Sequence, residues 1–293
     1  MEVVDQFTRM GGSGLAAQDQ QETFTDSWVT EVLAHPISKQ HVSEAIFPKA
    51  RGIIDARILL RNTFGYENWS KGQRSYERLV RSGGAIEENS VKGYQDEIEY
   101  DRPIYEHFCM SGKVLDVGGG VGTLREFLSD SVSYLSVDPY LAGPYEIPKP
   151  KVDAYSCLRT HLNFIGGVAE FLPVTSEEFD YVHMRSMLDH VQVPDLALLE
   201  ARRVLKPDGR LIVGIYVEGG KSGRRTLNRL VRDQITHSLS AIGIERFSDH
   251  HTWHPTLSNL VKLIGDNGFV IEDQYWQPQW NEQVVYIQAA RER

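Results

Sequence analysis

Only two cysteines, Cys109 and Cys157, occur in the 293 residues, too few for a disulfide framework or a cysteine-rich zinc site. That usage leads us to expect a reduced, cytoplasmic setting. No apolar run comes near the roughly 18 residues of a membrane-spanning helix, so no membrane span is expected. Positive charge is also short: 31 Lys and Arg against 40 Asp and Glu leave a net charge of −9, a field that opposes DNA or RNA as a partner. The opening MEVVDQFTRMGGSGL has no basic stretch followed by an apolar one, and no secretion signal is expected. Internal repeats and long low-complexity runs are missing too. What remains is a chain 41% apolar and 24% charged, the composition of an ordinary globular protein.

Three regions follow one another. Residues 1–24 mix Gly, Gln, Asp and Ser and read as a mobile tail. Residues 25–110 form an N-terminal extension, with a strand-like run in ARGIIDARILL and a helix over Val91–Phe108. Residues 111–293 alternate strands and helices. Apolar runs at 114–119, 133–139, 179–186, 210–217, 269–276 and 284–290 are the strands. Helical patterns lie at Leu124–Leu128, Pro194–Leu205, Leu227–Ile242 and Thr256–Asp266, and LKPDGR (205–210) is a turn. Alternation of this kind means an α/β fold: a doubly wound, mostly parallel sheet with helices on both faces. The last two strands predict an antiparallel pair at its C-terminal edge.

The chemical signal is VLDVGGGVGTL, where three consecutive glycines and a fourth follow a buried strand. Glycine lets a backbone bend sharply and approach a ligand closely. A dinucleotide fingerprint starting at Gly118 and Gly120 needs a glycine at 123, but Thr123 stands there and the extra glycine is Gly122. Asp138 closes the next strand, where a carboxylate about 20 residues past such a loop can accept hydrogen bonds from both ribose hydroxyls.

Asp116 with Gly118, Gly120 and Gly122 resembles motif I of the class I S-adenosylmethionine (SAM)-dependent methyltransferases. GGVAEFLPVTSEEFDYVHMRSMLDHV and PDLALLEARRVLKPDGRLIV resemble that family's later segments, nearest to its ubiquinone-biosynthesis-like, methyltransferase type 11 group. The resemblance implies a Rossmann-like, seven-stranded sheet and S-adenosyl-L-methionine as cofactor. It assigns cofactor binding to Asp116, Gly118, Gly119, Gly120, Gly122, Asp138, Pro139, Tyr140, Ala169, Glu170, Met184 and Arg185. Val168 departs from the family's usual loop aspartate. VLAHPISKQ…FPKARGIIDARILL also resembles a small ribbon domain that precedes some methyltransferases, without its metal cysteines: Ala34, His35 and Pro36 lie where they would begin. An extension of that kind would pack on the core or cover the substrate.

His190 follows the family's turn past the sulfonium, and an imidazole with its usual pKa near 6.5 can take a proton from an attacking hydroxyl. A helix cap or a contact to SAM is the competing reading. Asp249, His250, His251 and His254 form a polar cluster beside Trp253. With Pro255 next and no further acidic motif, no metal is expected; His250, His251, His254 and Trp253 are candidates for the substrate. EGGKSG (218–223) imitates the end of a phosphate loop, but Ile215 stands where its first glycine belongs. The expected activity is methylation of a small-molecule or glycan-type acceptor, at oxygen, in secondary metabolism. Carbon or nitrogen acceptors and a non-catalytic SAM-binding module remain open, as does a homodimer.

Overall fold

The computed structural model describes residues 25–63, 66–82, 89–223, 251–278 and 282–292. The tail expected at 1–24 and the helix expected at Leu227–Ile242 lie outside the described residues. In chain order these residues form α1 (Ser27–Glu31), β1 (Lys49–Ala50), β2 (Ile53–Asp55), α2 (Tyr66–Ser82), α3 (Val91–Phe108), β3 (Lys113–Val117), β4 (Ser133–Asp138) and α4 (Lys149–Ala154). There follow β5 (Phe164–Gly166), β6 (Phe179–Arg185), α5 (Pro194–Val204), β7 (Leu205–Tyr216), α6 (Leu257–Asp266), β8 (Phe269–Gln277) and β9 (Val284–Arg291). No helix among the described residues is long and apolar enough to cross a membrane.

The strands make one sheet in the order β1-β2-β5-β4-β3-β6-β7-β9-β8. From β2 to β7 all neighbours are parallel; β9 runs antiparallel to both β7 and β8. Seven strands, β3 to β9, therefore form the expected mostly parallel sheet with its antiparallel edge. Two more come from the extension: β2 pairs in parallel with β5, and β1 turns back on β2.

Side chains alternate between the two faces, as the strand period of two requires. Leu211, Val213 and Ile215 of β7 face α5 and α6, whereas Ile212 faces α3. Both faces are thus covered, which suits strands that are nearly continuous apolar runs. α3 begins at Ser90, whose side chain accepts from the Gly93 N–H at 3.0 Å. α6 begins at Thr256, which caps Asn259 in the same way.

Two expectations are corrected. LKPDGR does not separate helix from strand: β7 already starts at Leu205, paired to Phe179, and the register resumes at Arg210 opposite Tyr181. Pro207-Asp208-Gly209 is therefore an outward bulge within one strand. After the glycine loop, the expected helix at Leu124–Leu128 is a 3-10 turn over Thr123–Phe127, ending at an extended Leu128. Its Arg125 side chain reaches the Gly122, Thr160 and His161 carbonyls, and turn-forming Ser129 and Asp130 follow at once.

Candidate cofactor and active site

In open α/β sheets ligands collect beyond the carboxyl ends of the strands. Here the ends of β3, β4, β5 and β6 enclose a cavity of ≈ 290 Å³, at the small end of the usual range for ligand pockets. Its floor is the bend after β3. Gly118 has φ +72°, and a Cβ there would lie 2.8 Å from the Met187 Cβ; a Cβ on Gly119 would lie 2.5 Å from the Asp116 carboxylate. Neither position can carry a side chain in this conformation, and Gly118 presents bare backbone to the cavity.

Asp138 ends β4 and lines the cavity. Its Oδ2 accepts the Gly120 N–H at 3.1 Å and its Oδ1 the Tyr140 N–H at 2.8 Å, so the carboxylate holds the loop to the next turn. Each carboxylate oxygen has a second lone pair, enough for a pair of adjacent hydroxyls. Burial pushes this carboxyl up to about 6, against the opposing pull of the two backbone N–H groups. Past β5, Val168, Ala169 and Glu170 form another wall. Glu170 is buried, and its Oε1 accepts the Gln192 and Val193 N–H groups at 2.7 and 3.2 Å, which ties this wall to the entry of α5. Burial raises its pKa against those same bonds.

Of the sequence-based candidates, Gly118, Asp138, Pro139, Ala169, Glu170, Arg185 and His190 come together on the cavity wall. Asp116 does not. It is turned inward, accepting from Tyr134 Oη at 2.6 Å and His183 Nδ1 at 2.7 Å, with Tyr105 Oη on the far side of His183 at 3.3 Å. Asp116 thus braces the underside of the loop. Gly119, Gly120, Gly122 and Tyr140 shape the surroundings without lining the cavity, and Met184 is fully buried in the core. Arg185 lines the cavity yet spends its guanidinium on Asp101, with both Asp101 oxygens engaged and Gln277 Nε2 adding a bond at 3.2 Å.

The substrate candidates are less concentrated. His250 and Asp249 lie outside the described residues. His251 lies tilted against His190 with ring centroids 4.5 Å apart, and the His254 ring centroid is 5.4 Å from that of His251. Trp253 borders a separate cleft and donates its indole N–H to the Leu188 carbonyl at 2.9 Å.

Sequence reading missed one wall. Trp69, Gly72, Gln73 and Tyr76, all on α2, line the cavity. Tyr76 meets Tyr140 edge-on at 5.8 Å. The aromatic positions 66, 69 and 76, spaced for one helix face, were the available signal.

A bare glycine bend, then a strand-end carboxylate beside a cavity, is the arrangement a doubly wound nucleotide-cofactor protein presents. Residues 88–274 match the family described as "Methyltransferase domain", and the chain belongs to that family. It is a SAM-dependent methyltransferase of the class I, ubiquinone-biosynthesis-like type. It is 34% identical over 166 residues to a demethylmenaquinone methyltransferase of Renibacterium salmoninarum, covering 54% of this chain and 66% of that protein. It is 27% identical over 187 residues to the mitochondrial ubiquinone biosynthesis O-methyltransferase of Schizosaccharomyces pombe, covering 52% of this chain and 66% of the relative. Among solved structures, a Burkholderia thailandensis 1,6-didemethyltoxoflavin-N1-methyltransferase shares the fold with a TM-score of 0.52 at 16% identity, over 81% of this chain and 95% of that one.

The cavity suits the cofactor. Asp138 has free lone pairs of the kind a ribose would need, the loop leaves room for backbone contact, and Val117, Val137, Val168, Ala169 and Val191 form an apolar wall of the kind an adenine would need.

Proposed function

We propose that the chain transfers a methyl group from SAM to an oxygen of a small-molecule or glycan-type acceptor, in secondary metabolism. His190 on the cavity wall carries this reading. Bound SAM would supply an electrophilic methyl, passing to the acceptor oxygen as the O–C bond forms and the C–S bond breaks with its electron pair left on sulfur, while the hydroxyl proton would be lost to a base. The protein's part is alignment, exclusion of water and activation of the hydroxyl. Asp138, on β4, takes the ribose. His190, past β6 and across the β3 bend, activates the hydroxyl. α2 covers the cavity, the role we assign to the extension at 25–110.

His190→Ala is expected to keep S-adenosylhomocysteine affinity and to lower turnover by about 10²–10⁴-fold, the usual worth of such a group. Unchanged turnover with an acceptor panel removes the assignment. A second reading, methylation at carbon, is favoured by the similarity to a ubiquinone/menaquinone biosynthesis C-methyltransferase of Pectobacterium atrosepticum. Mass spectrometry and NMR of the methylated product separate the two.

A further inference from the structure

Beside His190 lies a cluster that the preceding mechanism leaves unused. Asp189 and His190 are consecutive in the turn after β6, and His251 arrives from the segment before α6. Three hydrogen bonds pin the two segments together. The Thr252 N–H and Oγ1 both donate to the Asp189 carbonyl, at 2.7 and 2.8 Å, and the Trp253 indole donates to the Leu188 carbonyl at 2.9 Å. As a result, one ligand atom from each of Asp189, His190 and His251 lies within 4.8 Å of the others. His251 Nε2 is 3.6 Å from Asp189 Oδ2, a separation typical of neighbouring ligands on one ion whose bonds are about 2.0–2.2 Å long.

A second, independent observation concerns Asp189 itself. The residue is only 7% exposed, and its Oδ1 has no hydrogen-bond partner among the described residues. A buried, unpaired carboxylate oxygen is costly, and proteins keep such groups where a partner of another kind arrives. The histidine run at 249–254 alone carries no metal expectation, since the acid that joins His251 is Asp189, about sixty residues earlier.

We propose that Asp189, His190 and His251 bind one divalent first-row transition cation at the acceptor side of the cavity. Two imidazoles and one carboxylate suit zinc, manganese, iron or cobalt rather than magnesium or calcium, which prefer all-oxygen shells. Three ligands leave coordination positions open, and because His190 lines the cavity the site borders it. The cation's purpose rests on the methyl-transfer reading; its binding does not. A cation held there would draw charge from an acceptor hydroxyl and make it acidic, its proton passing to water; His190 would then activate the hydroxyl as a ligand of the ion and not as the proton acceptor.

The test uses the full chain, stripped with a chelator and dialysed against Co²⁺. One equivalent is expected to be retained, with the visible absorption of nitrogen-ligated cobalt. Asp189→Asn and His251→Gln are each expected to weaken retention at least about tenfold. Neither residue lines the cofactor cavity, so titration with S-adenosylhomocysteine checks that both variants are folded. Absence of retained cobalt in the wild type, or equal retention in both folded variants, overturns the site. Cobalt bound without S-adenosylhomocysteine binding supports the cation site and overturns the methyl-transfer reading; the reverse result does the opposite.

Discussion

Asp138 sits buried at the end of β4, while the ribose contact proposed for it needs the carboxylate ionised. Burial raises its pKa to about 6. Compared with the unfolded chain, the folded protein therefore holds this proton more tightly, and stability contributed by the carboxyl falls as pH rises from about 4 through about 6. Asp138→Asn removes that penalty, so we expect a higher melting temperature at pH 7.5 together with lost cofactor affinity. In the wild type, S-adenosylhomocysteine affinity should drop as pH falls below about 6, because the protonated carboxyl accepts less well. Calorimetric titration across that range checks both. Gly118→Ala forces a side chain into a left-handed backbone against Met187. A loss of about 1–3 kcal/mol in urea unfolding is expected. These residues were legible in the sequence because spacing alone carries them. The inward turn of Asp116 was not, since its partners Tyr134 and His183 come from other strands.

α2 and α3 were legible to different degrees. The bounds of α3 agree with the expected ones, and the structure adds the Ser90 cap at its start. α2 carries a more polar face and no chemical motif, and only the tertiary structure lays its Trp69 and Tyr76 along the cavity. Trp69→Ala is expected to speed cofactor dissociation several-fold in stopped-flow fluorescence with little change in stability. α3 also supplies Asp101, which is 1% exposed and held by Arg185 of β6. Arg185→Met leaves that carboxyl without its cation; breaking such a pair costs on the order of 3–5 kcal/mol. Burial already raises the Asp101 pKa against the pull of Arg185. Without Arg185 it rises further, so the deficit should be largest at neutral pH and shrink as pH falls and Asp101 takes a proton. Urea melts of both proteins at pH 7.5 and 5 test the sign.

Across the whole molecule, the doubly wound topology followed from the order of apolar runs, because buried parallel strands and their crossovers write themselves locally. The joining of β1 and β2 to the sheet edge did not. It depends on β5, a strand of three residues at Phe164–Gly166 that is too short to stand out from its loop. The consequence is one continuous sheet whose strand ends, with α2 above them, enclose the cofactor cavity. The account stands most directly on calorimetric titration of the purified chain with S-adenosylhomocysteine. One site per chain is predicted, weakened at least about a hundredfold in Asp138→Asn; absence of binding heat, or an affinity indifferent to that substitution, contradicts it.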